Sequence, residues 1–218
     1  MNLFQRKILS SVALFMFLGL TLAGTCHGTS AGQVGPNQST RDSWQEPERL
    51  LQTIGIKPGL VIGEVGAGMG YFTFKIASRL GDSGKIYAND ILVDRLEAIR
   101  KRAESEGIRN ITVVRGKPED PLFPSAKLDM VFIAYTYHMI MMDQAVALAF
   151  LENLKKYLTA ETPVVVVDRP SGMQEDSHSM GHESPLDPMI SQFESAGYRL
   201  IGNEDFNSRT QILIFKLK

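Results

Sequence analysis

Short apolar runs alternate along this chain with longer stretches in which apolar residues recur at helical spacing. The runs Leu60–Val65, Lys85–Asn89, Ile111–Val114, Leu128–Ala134 and Pro163–Val167 read as strands. Four consecutive valines, Val164 to Val167, suit a strand covered on both faces. Between the runs, Tyr71–Leu80, Val93–Glu106, Asp143–Leu158 and Pro185–Ala196 read as helices. The third shows the spacing in Val146, Ala149, Phe150, Leu154 and Leu158; Gly107 and Gly197 stop the second and fourth. A short leading helix is expected over Trp44–Ile54, with Pro47 in its first turn, where proline is tolerated. This alternation predicts an α/β fold, a doubly wound and mostly parallel sheet with helices on both faces. Two further strands, Tyr198–Glu204 and Gln211–Leu217, are joined by a short connection and form a closing hairpin. No internal repeat is visible.

The first strand runs straight into Gly66-Ala67-Gly68-Met69-Gly70-Tyr71. Glycine at every second position lets the backbone turn sharply and lets a ligand reach the main chain without meeting a Cβ. The helix that follows offers unpaired N–H groups and a partial positive charge. The dinucleotide fingerprint G-x-G-x-x-G needs glycine where Tyr71 stands, so that pattern fails. A tight strand–helix turn without a ligand is the bland alternative. Asp90 ends the second strand 20 residues after Gly70. An acid at about that spacing bonds ribose hydroxyls in nucleotide-binding sheets, and Asp is also favoured as a helix N-cap.

Glu64-x-Gly66-x-Gly68-x-Gly70 resembles the first motif of the class I S-adenosylmethionine-dependent methyltransferases, E/D-x-G-x-G-x-G. With the strand order and closing hairpin, the resemblance spans roughly residues 43–218. It implies a Rossmann-like, seven-stranded, three-layer αβα fold with a C-terminal antiparallel hairpin, and S-adenosylmethionine as the methyl donor. It also implies that Glu64 bonds the methionyl amino group or a nearby water, and that Asp90 takes both ribose hydroxyls. Gly66, Ala67, Gly68, Gly70, Tyr71 and Ile91 would line the same donor site, closed by Ala134 and Tyr135. The acid that this family sets against adenine falls at Lys117 here, so Glu119 and Asp120 stand as replacements. A solvated turn before Pro121 is the alternative for both.

Arg41-x-x-Trp44-Gln45-x-Pro47 resembles the lead-in of an exported bacterial branch of the family. Trp44 would close over the cofactor there, or simply pack its helix onto the sheet. The same branch carries D-T-Y-H-H after the fourth strand. Thr136-Tyr137-His138 is kept here, with Tyr135 in place of the acid and Met139 in place of the second histidine. His138 is the candidate general base, since imidazole titrates near 6.5 unperturbed. Tyr137 is the candidate to orient it or to shape the acceptor pocket. After the fifth strand, Asp168, His178, His182 and Glu183 could converge with His138 at one sheet edge. The segment lacks a compact metal signature, so no metal is expected; it reads instead as a lid over the acceptor.

Composition narrows the class. The 218 residues suffice for one domain of ordinary size, and the net charge of −1 leaves no broad basic footprint for nucleic acid. Arg6 and Lys7 precede an apolar run from Ile8 to Ala23, followed by the small residues Gly24, Thr25 and Gly28 to Ala31. This is the layout of a secretory signal over residues 1–31, hence an exported protein, periplasmic or secreted. The apolar run is slightly short for a spanning helix of about 20 residues, and an uncleaved membrane anchor is the alternative. Cys26, the only cysteine, leaves with the signal. Residues 32–42 read as a flexible linker and residues 43–218 as the methyltransferase-like domain.

Three functions compete. The first is transfer of a methyl group from S-adenosylmethionine to a small-molecule acceptor. The second is a non-catalytic module of the same fold that binds S-adenosylmethionine or a nucleoside. The third, a nicotinamide-dependent oxidoreductase, is disfavoured by Tyr71 and the hairpin. No N-P-P-Y follows the fourth strand, which weakens an amide or base-amine acceptor.

Overall fold

The computed structural model describes residues 38–124, 127–170 and 186–218. All seven expected strands form: β1 Val61–Val65, β2 Lys85–Asp90, β3 Ile111–Arg115, β4 Met130–Ala134, β5 Val164–Asp168, β6 Tyr198–Asn207 and β7 Thr210–Leu217. They make one sheet in the order β3-β2-β1-β4-β5-β7-β6. The pairs among β1 to β5 are parallel, and β7 runs antiparallel to both β5 and β6. The chain therefore builds outward from β1 to β3, returns to the other side of β1, and builds outward again. A crevice opens at such a switch point, at the carboxyl ends of β1 and β4.

The helices are α1 Gln38–Gln45, α2 Pro47–Thr53, α3 Tyr71–Leu80, α4 Val93–Ser105, α5 Tyr137–Ile140, α6 Gln144–Leu154 and α7 Leu186–Ser195. Among the described residues, no helix is long and apolar enough to cross a membrane. Apolar cores cover both faces of the sheet. The valine run divides between them: Val164 and Val166 join Phe150, Phe193 and Phe215, while Val165 and Val167 join Ile62, Phe72 and Ile212. That is the period-2 alternation of a strand covered on both faces.

The leading segment departs from the expected single helix. It forms two helices broken at Glu46, which has a left-handed φ of 43°. Proline disfavours the helical conformation in the residue before it, and Pro47 opens the second helix with its preset φ. The first helix starts at Gln38, inside the segment expected to be a linker. Asp42 anchors it by accepting from the Tyr71 hydroxyl and from Lys75. The helix expected through Leu158 ends at Leu154 and tightens into a 3-10 turn, Lys155–Tyr157. The expected signal segment and the residues His178, His182 and Glu183 lie outside the described residues.

Candidate active site

The glycine loop leaves β1 with Gly66, Gly68 and Gly70 all left-handed, at φ of 75°, 56° and 85°. A Cβ on Gly66 would lie 2.2 Å from the Thr136 hydroxyl, and one on Gly70 would lie 2.7 Å from the Phe74 ring. A Cβ on Gly68 would meet nothing within 4 Å. Two of the glycines thus make room for the protein itself, and Gly68 opens outward where a ligand can approach. Asp90, buried at the end of β2, ties this loop down. One carboxylate oxygen accepts the Gly68 N–H at 2.9 Å and the other accepts the Leu92 N–H at 2.9 Å. Arg95 lies 3.6 Å away. The acid therefore holds both the loop and the start of α4, and each oxygen keeps a lone pair for a hydroxyl donor.

Glu64 is buried on β1, where its carboxylate accepts the Thr73 hydroxyl at 2.5 Å. Burial pushes its carboxyl up to about 7, and the nearby Asp90 adds to the rise. The Thr73 bond and the more distant Arg41 charge oppose it. Tyr71 opens α3 with its hydroxyl on Asp42 and with the Arg41 guanidinium 3.8 Å above its ring. Trp44 meets Tyr135 edge-on, with ring centroids 5.8 Å apart. Tyr135 adopts a left-handed φ of 50°, rare for a residue with a side chain, and its hydroxyl bonds Thr210 at 2.9 Å. Burial raises that hydroxyl to about 12. Ala134, half-buried, lies beside it at the end of β4, and Ala67 is buried in the loop. Ile91 is exposed, as are Met69, Leu122, Met139 and Met142, so apolar surface gathers along the carboxyl edge of the sheet.

The two acids after β3 separate. Asp120 turns inward and accepts from the Leu122 N–H at 2.9 Å, the Tyr157 hydroxyl at 2.8 Å and Lys156 at 3.2 Å. Burial raises its pKa, but these three donors outweigh it and hold the carboxyl below the usual range. These contacts turn the carboxylate expected at adenine toward the protein's own donors. Glu119 is half-buried beside it.

Across the crevice, His138 follows β4 and Asp168 ends the neighbouring β5. The register that pairs Ala134 with Val167 brings the two side chains together. His138 Nδ1 lies 3.0 and 3.1 Å from the two Asp168 oxygens. Asp168 is only 1 % exposed and His138 17 %. The Arg169 N–H also donates to Asp168, at 2.9 Å. An acid on Nδ1 sets the tautomer that leaves the lone pair on Nε2, which is how a general base is oriented.

Tyr137 points the other way. It is fully buried, 4.9 Å from the Phe193 ring, and its hydroxyl donates to Gln192 at 3.1 Å. Burial raises that hydroxyl's pKa further. This corrects the expected catalytic role of Tyr137. Successive helical residues diverge by about 100°, so Tyr137 and His138 cannot share a face. The residue that orients His138 is Asp168, 30 positions away in sequence and adjacent only through strand pairing. Among the described residues, no three His, Cys, Asp or Glu side chains gather as a metal site.

Residues 62–161 match the family described as a methyltransferase domain. Over those residues the chain resembles a methyltransferase domain. Nocamycin O-methyltransferase of Saccharothrix syringae is 32% identical over 83 residues, 38% of this chain and 30% of that protein. Aklanonic acid methyltransferase of Streptomyces sp. (strain C5) is 33% identical over 73 residues, 34% of this chain and 33% of that one. The match thus spans about a third of each relative's length. An S-adenosylmethionine-dependent methyltransferase from Aquifex aeolicus superposes with a TM-score of 0.68 at 20% identity, over 83% of this chain and 97% of that one. A glycopeptide N-methyltransferase solved with S-adenosylmethionine gives 0.62 at 15% identity, over 79% and 93%. The seven-stranded sheet with its antiparallel β7 is the class I methyltransferase fold. In this fold the residues present fit S-adenosylmethionine. The outward face at Gly68 admits a ligand, Asp90 retains acceptor capacity for ribose, and Glu64 is a buried acid suited to an amino group.

Proposed function

We propose that the protein transfers the methyl group of S-adenosylmethionine to a hydroxyl of a small, largely apolar molecule, with His138 as general base. One observation carries the reading. Gly66 packs directly against Thr136, which brings the acid-flanked glycine loop and the His138–Asp168 pair side by side. S-adenosylmethionine supplies an electrophilic methyl group on a sulfonium. The chain's own residues do the rest. Glu64 and Asp90 hold the donor at its amino and ribose ends. His138 Nε2 takes the acceptor proton as the oxygen attacks, and Asp168 stabilises the resulting imidazolium. Exposed Met139 and Met142 beside His138 offer an apolar seat for the acceptor's body. The name of nocamycin O-methyltransferase agrees with an oxygen nucleophile, though C-methyltransferases are similar to this chain as well. Balanced charge favours a small molecule over nucleic acid. The basic, apolar and small segments of residues 1–31 support export, which the mass of the mature protein's N-terminal peptide tests.

Calorimetric titration with S-adenosylhomocysteine and with NAD tests the donor site. The expected result is binding of the first alone, abolished by Gly68→Arg. Incubation with labelled S-adenosylmethionine and small-molecule fractions then tests transfer. His138→Gln is expected to lower kcat by about 10²–10⁴-fold with little change in S-adenosylhomocysteine affinity. Binding without any labelled product would favour the non-catalytic module, a reading that the departures at Tyr135 and Met139 keep in play.

A further inference from the structure

We infer that Arg41 holds the methionyl carboxylate of the donor, opposite Glu64, which takes the amino group; this rests on the donor reading above. Arg41 stands on α1 at the glycine-loop end of the crevice and is half-buried. Its Nε donates to Gln45 at 3.0 Å, and its guanidinium carbon lies 3.8 Å from the Tyr71 ring centroid. Among the described residues, Arg41 forms no ion pair and its two terminal nitrogens donate to no partner. The adjacent acid, Asp42, is already engaged by Tyr71 and Lys75. A guanidinium stays charged even when burial lowers its pKa, as burial does here. The structure thus holds a partly desolvated cation with no direct ion pair among the described residues, beside the loop that opens at Gly68.

The chemistry selects a carboxylate. A planar guanidinium stacked by one face keeps its in-plane N–H groups for a two-point contact with two oxygens. Glu64 lies within electrostatic reach and offers the opposite charge from β1. A buried acid beside the cation repels a dianionic phosphate but complements an α-amino acid, which carries ammonium and carboxylate on one carbon. The position is fixed before any ligand arrives. Asp42 pins α1 to α3, Gln45 is buried, and the Trp44 carbonyl accepts from Asn207 at 3.0 Å. A cation held in place in this way loses little conformational freedom on binding.

Two ligands separate this role from the donor reading. S-adenosylhomocysteine and 5′-methylthioadenosine share adenosine and a thioether, and only the first carries the amino acid. The wild-type protein is expected to bind S-adenosylhomocysteine more tightly. Arg41→Gln is expected to weaken S-adenosylhomocysteine by on the order of 10- to 100-fold while 5′-methylthioadenosine changes less than about twofold. Arg41→Lys, which keeps the charge without the two-point geometry, should fall between. If Arg41→Gln binds S-adenosylhomocysteine like the wild type, the carboxylate role is overturned and the donor reading stands. An equal loss of both ligands would overturn it too, because Arg41 would then act through the fold or the adenosine half. If the wild type binds neither ligand, both readings fall.

Discussion

Glu64 is a buried acid on β1, and its titration follows from that. Burial favours the neutral acid in the folded protein, so its carboxyl titrates near 7, against about 4.3 in an unfolded chain. The sign is therefore unusual for a carboxylate. The stability it contributes is fully present below the unfolded value and is lost as pH rises through 7. The difference corresponds to roughly 4 kcal/mol. Glu64→Gln should accordingly raise the melting temperature over wild type more at pH 8 than at pH 5, measured by scanning calorimetry. A ligand ammonium needs the ionised acid, so wild-type affinity for S-adenosylhomocysteine should climb between pH 6 and 8, and the Gln variant's should stay flat. Glu64 and Asp90 were legible in the sequence because a short motif and a strand length fix both. Tyr137 was not: beside His138 in sequence, it is turned into the core by the phase of one helical turn.

The strand–turn–helix unit at residues 61–80 shows how one element divides its glycines between two tasks. All three have positive φ, which costs about 1–2 kcal/mol for a residue with a Cβ. Gly66 must also leave space for Thr136, whereas Gly68 faces open space. Gly66→Ala should destabilise the protein by on the order of 3–5 kcal/mol, as strain and a steric collision add. Gly68→Ala should cost only the conformational part, about 1–2 kcal/mol. Its Cβ would occupy the ligand's side of the loop, so its Kd for S-adenosylhomocysteine should rise roughly tenfold or more. Denaturant unfolding and titration of the two variants should separate the effects; equal binding losses at equal stability would refute the division. The even glycine spacing announced a turn but could not say which glycine serves the ligand. The leading helices carry a related lesson. Pro47 announced a helix start, and the helix before it was hidden because α1 is mostly polar and is held by contacts with α3.

At the scale of the molecule, the site is a product of strand order. β1 lies between β2 and β4, so Glu64, Asp90 and the residues after β4 reach one edge from segments far apart in sequence. A ligand binding there couples to global unfolding. At a hundredfold excess over Kd, S-adenosylhomocysteine should add about 2.7 kcal/mol to stability, visible as a melting shift of roughly 5–10 °C, and NAD should add none. Equal shifts with both ligands would argue against the donor assignment. Residue pattern alone set the order of elements, the parallel sheet with its closing hairpin, the glycine loop and its two acids. These follow from local rules: side-chain periodicity, turn residues and the reach of one strand. The folded arrangement was needed to show that Asp168 orients His138, that Asp120 is held by Tyr157 and Lys156, and that Arg41 overlies Tyr71 near Glu64. Each joins residues some 30 positions apart, and their meeting depends on strand pairing and helix phase, which no local pattern encodes.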